Sequence, residues 1–321
     1  MTKFIKRVKN GNTYKYLNEK NEIIKNINTL NRIKKIYIAP AYTNVKIYLD
    51  GDILATGIDS AGRKQYVYSD NMKKKRETKK LKKLIKLSKH IDRLKQQINK
   101  DLNNKTWTKN KIIAVILKIM DLCNFRGGNK KYEKKYGSYG LTTLHKKHIS
   151  IHKSSIEFDF IGKKGVNNKC VISNNKTIQE LVKILYNNKT KNNQYLFSIN
   201  DISEISITDL NSYLNKFDVT TKDLRTWNAN IIFLKNFKKI IEELDMKIYA
   251  QKTEKQQLLI RKRCIREALI LTAEALHNTP AVCKSSYIYK KILENIENNK
   301  ISLNVFNKNN NIENMLIIFI K

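Results

Sequence analysis

Residues 71–100 carry thirteen Lys or Arg and only two acids, while Leu81, Leu84, Ile85, Ile91, Leu94 and Ile98 recur through the run at helical spacing. A long amphipathic helix satisfies both patterns, with its apolar stripe covered and its basic face in water. That helix divides the chain. Up to about Ser69 the pattern is short and β-like: residues 46–57 read as two strands around an Asp50-Gly51 turn, and Gln65-Tyr66-Val67-Tyr68 reads as another. The boundary is expected near residues 70–78, giving a small β-rich N-terminal domain, residues 1–75, and a larger, mainly helical domain, residues 76–321. With ten Gly and two Pro in 321 residues, long elements are expected. Residues 112–122 are nearly all apolar and read as a buried helix. Ile149-Ser-Ile, Ile156-Glu-Phe-Asp-Phe-Ile and Cys170-Val-Ile read as an antiparallel meander, with turns at Ser154-Ser155 and residues 165–168. Residues 178–186, 210–214 and 253–276 return to helical spacing, and the Asn/Lys-rich tail after Glu297 is undecided. The fold class expected is α+β.

The whole chain repeats the imbalance of its long helix. Sixty-four Lys+Arg stand against 28 Asp+Glu, a net charge of +36. Self-repulsion on that scale opposes compaction unless a polyanion offsets it, so a nucleic-acid backbone or an anionic surface is the expected partner. A 41% hydrophobic content can still build a core. The longest apolar runs, residues 112–117 and 315–320, fall far short of the roughly 20 residues that span a bilayer. The N-terminus has no apolar h-region, so secretion is not signalled. Cys123, Cys170, Cys264 and Cys283 show no CxxC pair, which disfavours a zinc site and a disulfide framework and fits a reducing compartment.

Singly, no Arg or Tyr here is specific; their order is. Gly57-Ile-Asp-Ser-Ala-Gly-Arg63-Lys64-Gln65-Tyr66-Val-Tyr68 comes first, followed by Asn124-Phe-Arg126-Gly127-Gly128 with Tyr132 close behind. Gly137-Ser-Tyr-Gly-Leu-Thr-Thr-Leu144 and Gly162-Lys163-Lys164-Gly165 come next. Thr221-Lys222-Asp223-Leu224-Arg225-Thr226-Trp227 and His277-Asn278-Thr279-Pro280 complete the series, the last running on to Lys284-Ser-Ser-Tyr287-Ile. In this order the set resembles the type IB DNA topoisomerases of poxviruses, other large DNA viruses and bacteria. The likeness covers roughly residues 36–290.

The resemblance implies a nucleophile at Tyr287, whose phenolate attacks a DNA phosphodiester to give a 3′-phosphotyrosyl link and a free 5′-hydroxyl end. Because the covalent step conserves bond energy, resealing needs no ATP. Arg126 and Arg225 match the family's catalytic arginines, and planar guanidinium forks suit a transition state with charge on non-bridging oxygens. Lys163, on the hairpin turn, matches the general acid that protonates the leaving 5′ oxygen; flanking arginines would lower its pKa. Lys164 is its rival. Lys222 is a second proton donor or DNA contact. The family's catalytic histidine falls on Asn278, as in bacterial members, with His277 one residue earlier expected on a helix surface. Tyr289 is the first alternative to Tyr287.

Gln65, Tyr66 and Tyr68 alternate along one strand, the tyrosines on one face and the glutamine on the other. The resemblance makes this edge a DNA contact, and Tyr132 a further one. The expected partner is duplex DNA, engaged by a monomer that closes two lobes around it. No membrane, metal or nucleotide cofactor is expected, since neither a carboxylate cluster nor a P-loop accompanies the motifs. The family implies a cytoplasmic or virion-associated location. Two alternatives remain. A tyrosine recombinase shares the chemistry, but usually shows His-x-x-Arg where this chain has Lys222-Asp-Leu-Arg225. A non-catalytic DNA-packaging protein would explain the charge and leave the motifs unexplained.

Overall fold

The computed structural model describes residues 3–188, 195–199, 202, 204–306 and 311–320. It resolves into two compact units, Met1–Lys80 and Leu81–Lys321.

In the first unit β1 (Ile5–Asn10) and β2 (Thr13–Leu17) form a hairpin. Gly11 turns it at φ 59°, a conformation that favours glycine. Helix α1 (Ile27–Lys34) follows, with the Asn26 side chain accepting from the Thr29 amide at its N-terminus. β3 (Thr43–Ile47), β4 (Ile53–Ile58) and β5 (Lys64–Tyr68) complete an antiparallel sheet of order β2-β1-β3-β4-β5. Period-two alternation puts Ile5, Val45, Ile47 and Ala55 under cover together with Ile33 of α1. β5 is therefore an edge strand, held to β4 in a register that pairs Gly57 with Gln65 and Thr56 with Tyr66.

The expected basic helix is α2 (Asp70–Leu102), which buries Leu84, Leu87, Ile91, Leu94 and Leu102. The apolar run is α3 (Lys109–Cys123), capped by Thr108 and buried on nearly every side, although Leu122 is exposed. After α4 (Lys130–Tyr136) comes the meander, β6 (Ile149–Ile151), β7 (Ile156–Ile161) and β8 (Asn167–Ile172), antiparallel in that order. Its second turn is shorter than the expected 165–168, because Asn167 and Asn168 already pair with Ile161 and Phe160. The rest is helical: α5 (Lys176–Asn187), α6 (Ile207–Asn215), α7 (Thr221–Glu242), α8 (Met246–Ala250), α9 (Glu254–Ala275), α10 (Pro280–Ser286), α11 (Lys290–Glu297) and α12 (Ile312–Ile320). The undecided tail supplies α12, whose Met315, Leu316 and Ile320 are buried. Phe306 just before it sets its ring edge-on to Phe237 of α7 at 4.9 Å. The apolar run at residues 315–320 is thus core, and no helix among the described residues is long and apolar enough to cross a membrane.

One expectation is overturned. Cys123 and Cys170 are joined by a disulfide with their Cα atoms 5.7 Å apart, while Cys264 and Cys283 are free and buried. Residues 47 apart in sequence meet because α3 packs on β8, a proximity that cysteine spacing alone does not reveal.

Candidate active site

Arg126 sits two residues beyond the left-handed C-cap of α3, Asn124 (φ 54°), in a segment that runs beside the Gly140 loop. The Arg126 carbonyl accepts from the Leu141 amide at 2.8 Å and the Gly127 carbonyl from Thr142 at 2.7 Å. A Cβ on Gly140 would stand 2.6 Å from the Gly128 Cα, and one on Gly128 2.9 Å from the Gly140 carbonyl carbon. Gly128 and Gly140, one from each motif, are therefore a single steric requirement, the close approach of two backbones that holds Arg126 in place.

Arg225 lies on the first turns of α7, whose N-terminus is fixed by a capping box between Thr220 and Asp223. Asp223 also takes an ion pair from Lys83 at 2.8 Å. Only 4% exposed, Arg225 donates to the carbonyls of Asn124 and Leu276, and its Nε is buried without a protein partner. A buried guanidinium that meets two carbonyls and the Tyr287 phenol, and no carboxylate among the described residues, is poised for an anion.

Helix α9 ends in a Schellman turn: the Asn278 amide bonds the Ala273 carbonyl at 2.9 Å and the His277 amide bonds Glu274 at 3.0 Å. His277 occupies the left-handed position, φ 53°, where glycine is commonest. The expected helix-surface histidine is therefore a half-buried turn residue, its Nε2 3.1 Å from the Cys123 carbonyl and its ring on Phe125. That turn separates the two candidates. Asn278 receives a 2.7 Å hydrogen bond on Oδ1 from Arg126 Nη2 and donates Nδ2 to the Leu276 carbonyl. Thr279 then caps α10 with Pro280 at its start, and Tyr287 stands at the helix C-cap, 8% exposed, with the Arg225 guanidinium 5.4 Å from its ring centroid.

The charges explain the titration of the cluster. Burial pushes the Tyr287 phenol up, but the Arg225 and Arg126 guanidinium charges outweigh it, and the net direction is down from the ordinary tyrosine value. Lys163 stands on the β7–β8 turn, where Lys164 (φ 65°) and Gly165 (φ 75°) reverse the chain. Burial first, then Arg126, Lys164 and Lys222, lowers its pKa, against a raising effect of Tyr287. Arg126, Arg225, Asn278, Tyr287 and Lys163 are thus brought together, with Lys222 close enough to act on Lys163. A phenol shifted toward phenolate, beside two guanidiniums and a lysine shifted toward proton release, can attack a phosphodiester and protonate what leaves. Among the described residues no group of three or more His, Cys, Asp or Glu is placed to hold a metal ion.

Four DNA-contact candidates remain. Tyr132 is exposed on α4 and stacks on Tyr136. In the first unit Tyr66 and Tyr68 share a face, their rings stacked 6.1 Å apart, while Gln65 bonds Asp59. One residue escaped the sequence reading altogether. Asn230, fully buried on α7, accepts from the Tyr289 amide at 2.9 Å and donates to the Tyr287 carbonyl at 3.1 Å, so it grips the chain on both sides of Ile288. Its signal was the buried side of the Arg225 helix, five residues on.

Family comparison agrees with the geometry. The model of the eukaryotic DNA topoisomerase I catalytic core matches residues 69–312, and that of the bacterial DNA topoisomerase IB N-terminal domain matches residues 13–59. The chain belongs to the type IB DNA topoisomerase family. Among its relatives, DNA topoisomerase 1B of Acanthamoeba polyphaga mimivirus is 32% identical over 304 residues, 92% of this chain and 88% of the relative. DNA topoisomerase 1B of vaccinia virus (strain Copenhagen) is 28% identical, covering 76% of this chain and 73% of its own. DNA topoisomerase 1 of rabbit fibroma virus is 26% identical, covering 82% and 80%.

Proposed function

We propose that this topoisomerase relaxes supercoiled duplex DNA with Tyr287 as nucleophile, acting as a monomer whose two units both engage the duplex. The Tyr287 oxygen forms a bond to phosphorus as the bond from phosphorus to the 5′ oxygen breaks. The phenolic proton is lost to solvent, the 5′ oxygen takes a proton from Lys163, and the strand end is held as a 3′-phosphotyrosine. Arg126 and Arg225 neutralise the non-bridging oxygens, Asn278 adds an amide N–H, and Lys222 supports Lys163. The free 5′ end swivels, and the reverse reaction reseals it with no external energy and neither metal nor nucleotide. Gln65, Tyr66, Tyr68 and Tyr132 contact the duplex. The observation that carries this reading is the convergence of a buried tyrosine on two arginines, one of them itself buried.

The test is negatively supercoiled plasmid in EDTA without ATP, stopped with SDS. Relaxation should appear together with protein attached to a 3′ end, and Tyr287→Phe should bind DNA but form no adduct. An adduct from that mutant would move the nucleophile to another residue, Tyr289 first.

A further inference from the structure

The β4–β5 hairpin contains a side-chain network that the reaction chemistry does not use. Asp59, 12% exposed at the end of β4, divides its carboxylate into two jobs. Its Oδ1 accepts from the Ala61 and Arg63 amides at 3.0 and 2.9 Å, which closes the turn. Its Oδ2 accepts from Arg63 Nε at 2.9 Å, Arg63 Nη2 at 2.9 Å and Gln65 Nε2 at 2.8 Å. One oxygen builds the loop. The other gathers the two side chains best suited to touch bases on that face of an edge strand.

An ionised carboxylate only accepts hydrogen bonds. Arg63, by side-chain and then backbone hydrogen bonds, holds the Asp59 carboxyl down to about 2, so it is ionised at any working pH. Gln65 must therefore turn its NH₂ group toward Asp59, and its amide cannot flip. That leaves Oε1 and the second N–H as a fixed acceptor and donor pair, the pattern that matches N6 and N7 of adenine in the major groove. A glutamine free to flip could present the same edge reversed, and would discriminate poorly.

We infer that Asp59 is the positioning residue for sequence preference: its Oδ2 locks Gln65 in one amide orientation, with Arg63 beside it, so that the hairpin favours adenine at one position of the duplex. The inference rests on the proposed base contact of Gln65. Asp59→Asn separates the two jobs of the carboxylate, since the asparagine oxygen keeps the turn while its NH₂ replaces the acceptor and faces the Gln65 NH₂ and the Arg63 guanidinium, which swings away to solvent. Gln65 then flips to offer its own oxygen to Asn.

The experiment is single-turnover cleavage by the full chain on duplexes carrying each of the four base pairs at every position flanking the cleavage site. It compares wild type, Asp59→Asn and Gln65→Ala, with a thermal melt of each. A good bidentate contact sets a preference of roughly five- to a hundredfold. Gln65→Ala should erase that preference at one position. Asp59→Asn should reduce it at the same position by more than threefold and add nothing there in the double mutant with Gln65→Ala. If Asp59→Asn slows all duplexes equally, or leaves the Gln65-dependent preference intact, Asp59 is only a turn former and the inference fails while the base contact stands. If Gln65→Ala changes no preference, the base contact itself is wrong and the inference falls with it.

Discussion

Asn230→Ala tests whether the nucleophile is placed by its backbone. The side chain is fully buried and makes three hydrogen bonds, one of them to the Thr226 carbonyl one turn back on α7. Removing it takes these bonds from the Tyr289 amide and the Tyr287 carbonyl, whereas Thr226 keeps its helical partner. With two buried backbone groups each losing this partner at about 1–3 kcal/mol, the expected destabilisation is about 2–4 kcal/mol, tempered where the chain relaxes. Relaxation here means movement of residues 287–289, and a displacement of about 1 Å at a reacting group costs on the order of 10²-fold in rate. Cleavage should therefore fall by on the order of 10²-fold even at temperatures where the mutant is folded, with duplex affinity little changed. Asn230→Asp should be worse than its shape suggests, because it sets a second acceptor against the carbonyls of Tyr287 and Thr226. The assay is single-turnover cleavage with enzyme in excess on prebound duplex, alongside a thermal melt. An Asn230→Ala protein that melts several degrees lower yet cleaves within threefold of wild type would refute the argument, since the grip would then stabilise the fold without aiming the tyrosine.

Lys163→Ala should lose ~10²- to 10⁴-fold in cleavage and Lys164→Ala far less, and the Lys163 defect should shrink when sulfur replaces the leaving 5′ oxygen, because a thiolate departs without a proton. Asn278→Ala, which loses its contact with Arg126, should cut cleavage roughly 10- to 10³-fold. His277→Ala should instead lower the melting temperature, by removing a ring from Phe125 and leaving alanine in a left-handed turn, with a smaller effect on folded-state cleavage. Stability should depend on acid through His148, whose pKa burial lowers from 6.5 to about 4 and whose Nδ1 accepts from the His145 amide. The unfolded chain binds this proton first, so this contribution is complete above pH 6.5 and is lost as pH falls toward 4. His148→Gln should flatten the melting profile across that window, and an unchanged profile would exclude the residue.

Much of this was legible because the informative residues obey a period or a fixed order. Alternation exposed β3, β4 and β5, and Leu84, Ile91 and Leu94 exposed α2 through its lysines. The N-terminal hairpin escaped because in Ile5-Lys-Arg-Val-Lys-Asn the charged residues interrupt the alternation, and its partner strand, exposed at Lys15 and half-covered at Leu17, carries little apolar signal. The site residues were found through motifs, not energetics: nothing local marks Arg225 as buried. The order of His277 and Asn278 was visible, but not the Schellman turn that sends their side chains to different partners. Asn230 and the Cys123–Cys170 bond depend on contacts between distant segments, which no local pattern encodes.

That bond has a consequence for how the chain behaves when it is cut. The 47-residue interval it closes contains Arg126, Tyr132 and Lys163, and the lysines of α4 are exposed within it. A single tryptic nick at Lys134 or Lys135 would sever the peptide but not the molecule. On a denaturing gel the nicked protein would migrate as one species without reductant and as two with it. The ratio of those patterns reports the fraction of molecules carrying the bond in any preparation.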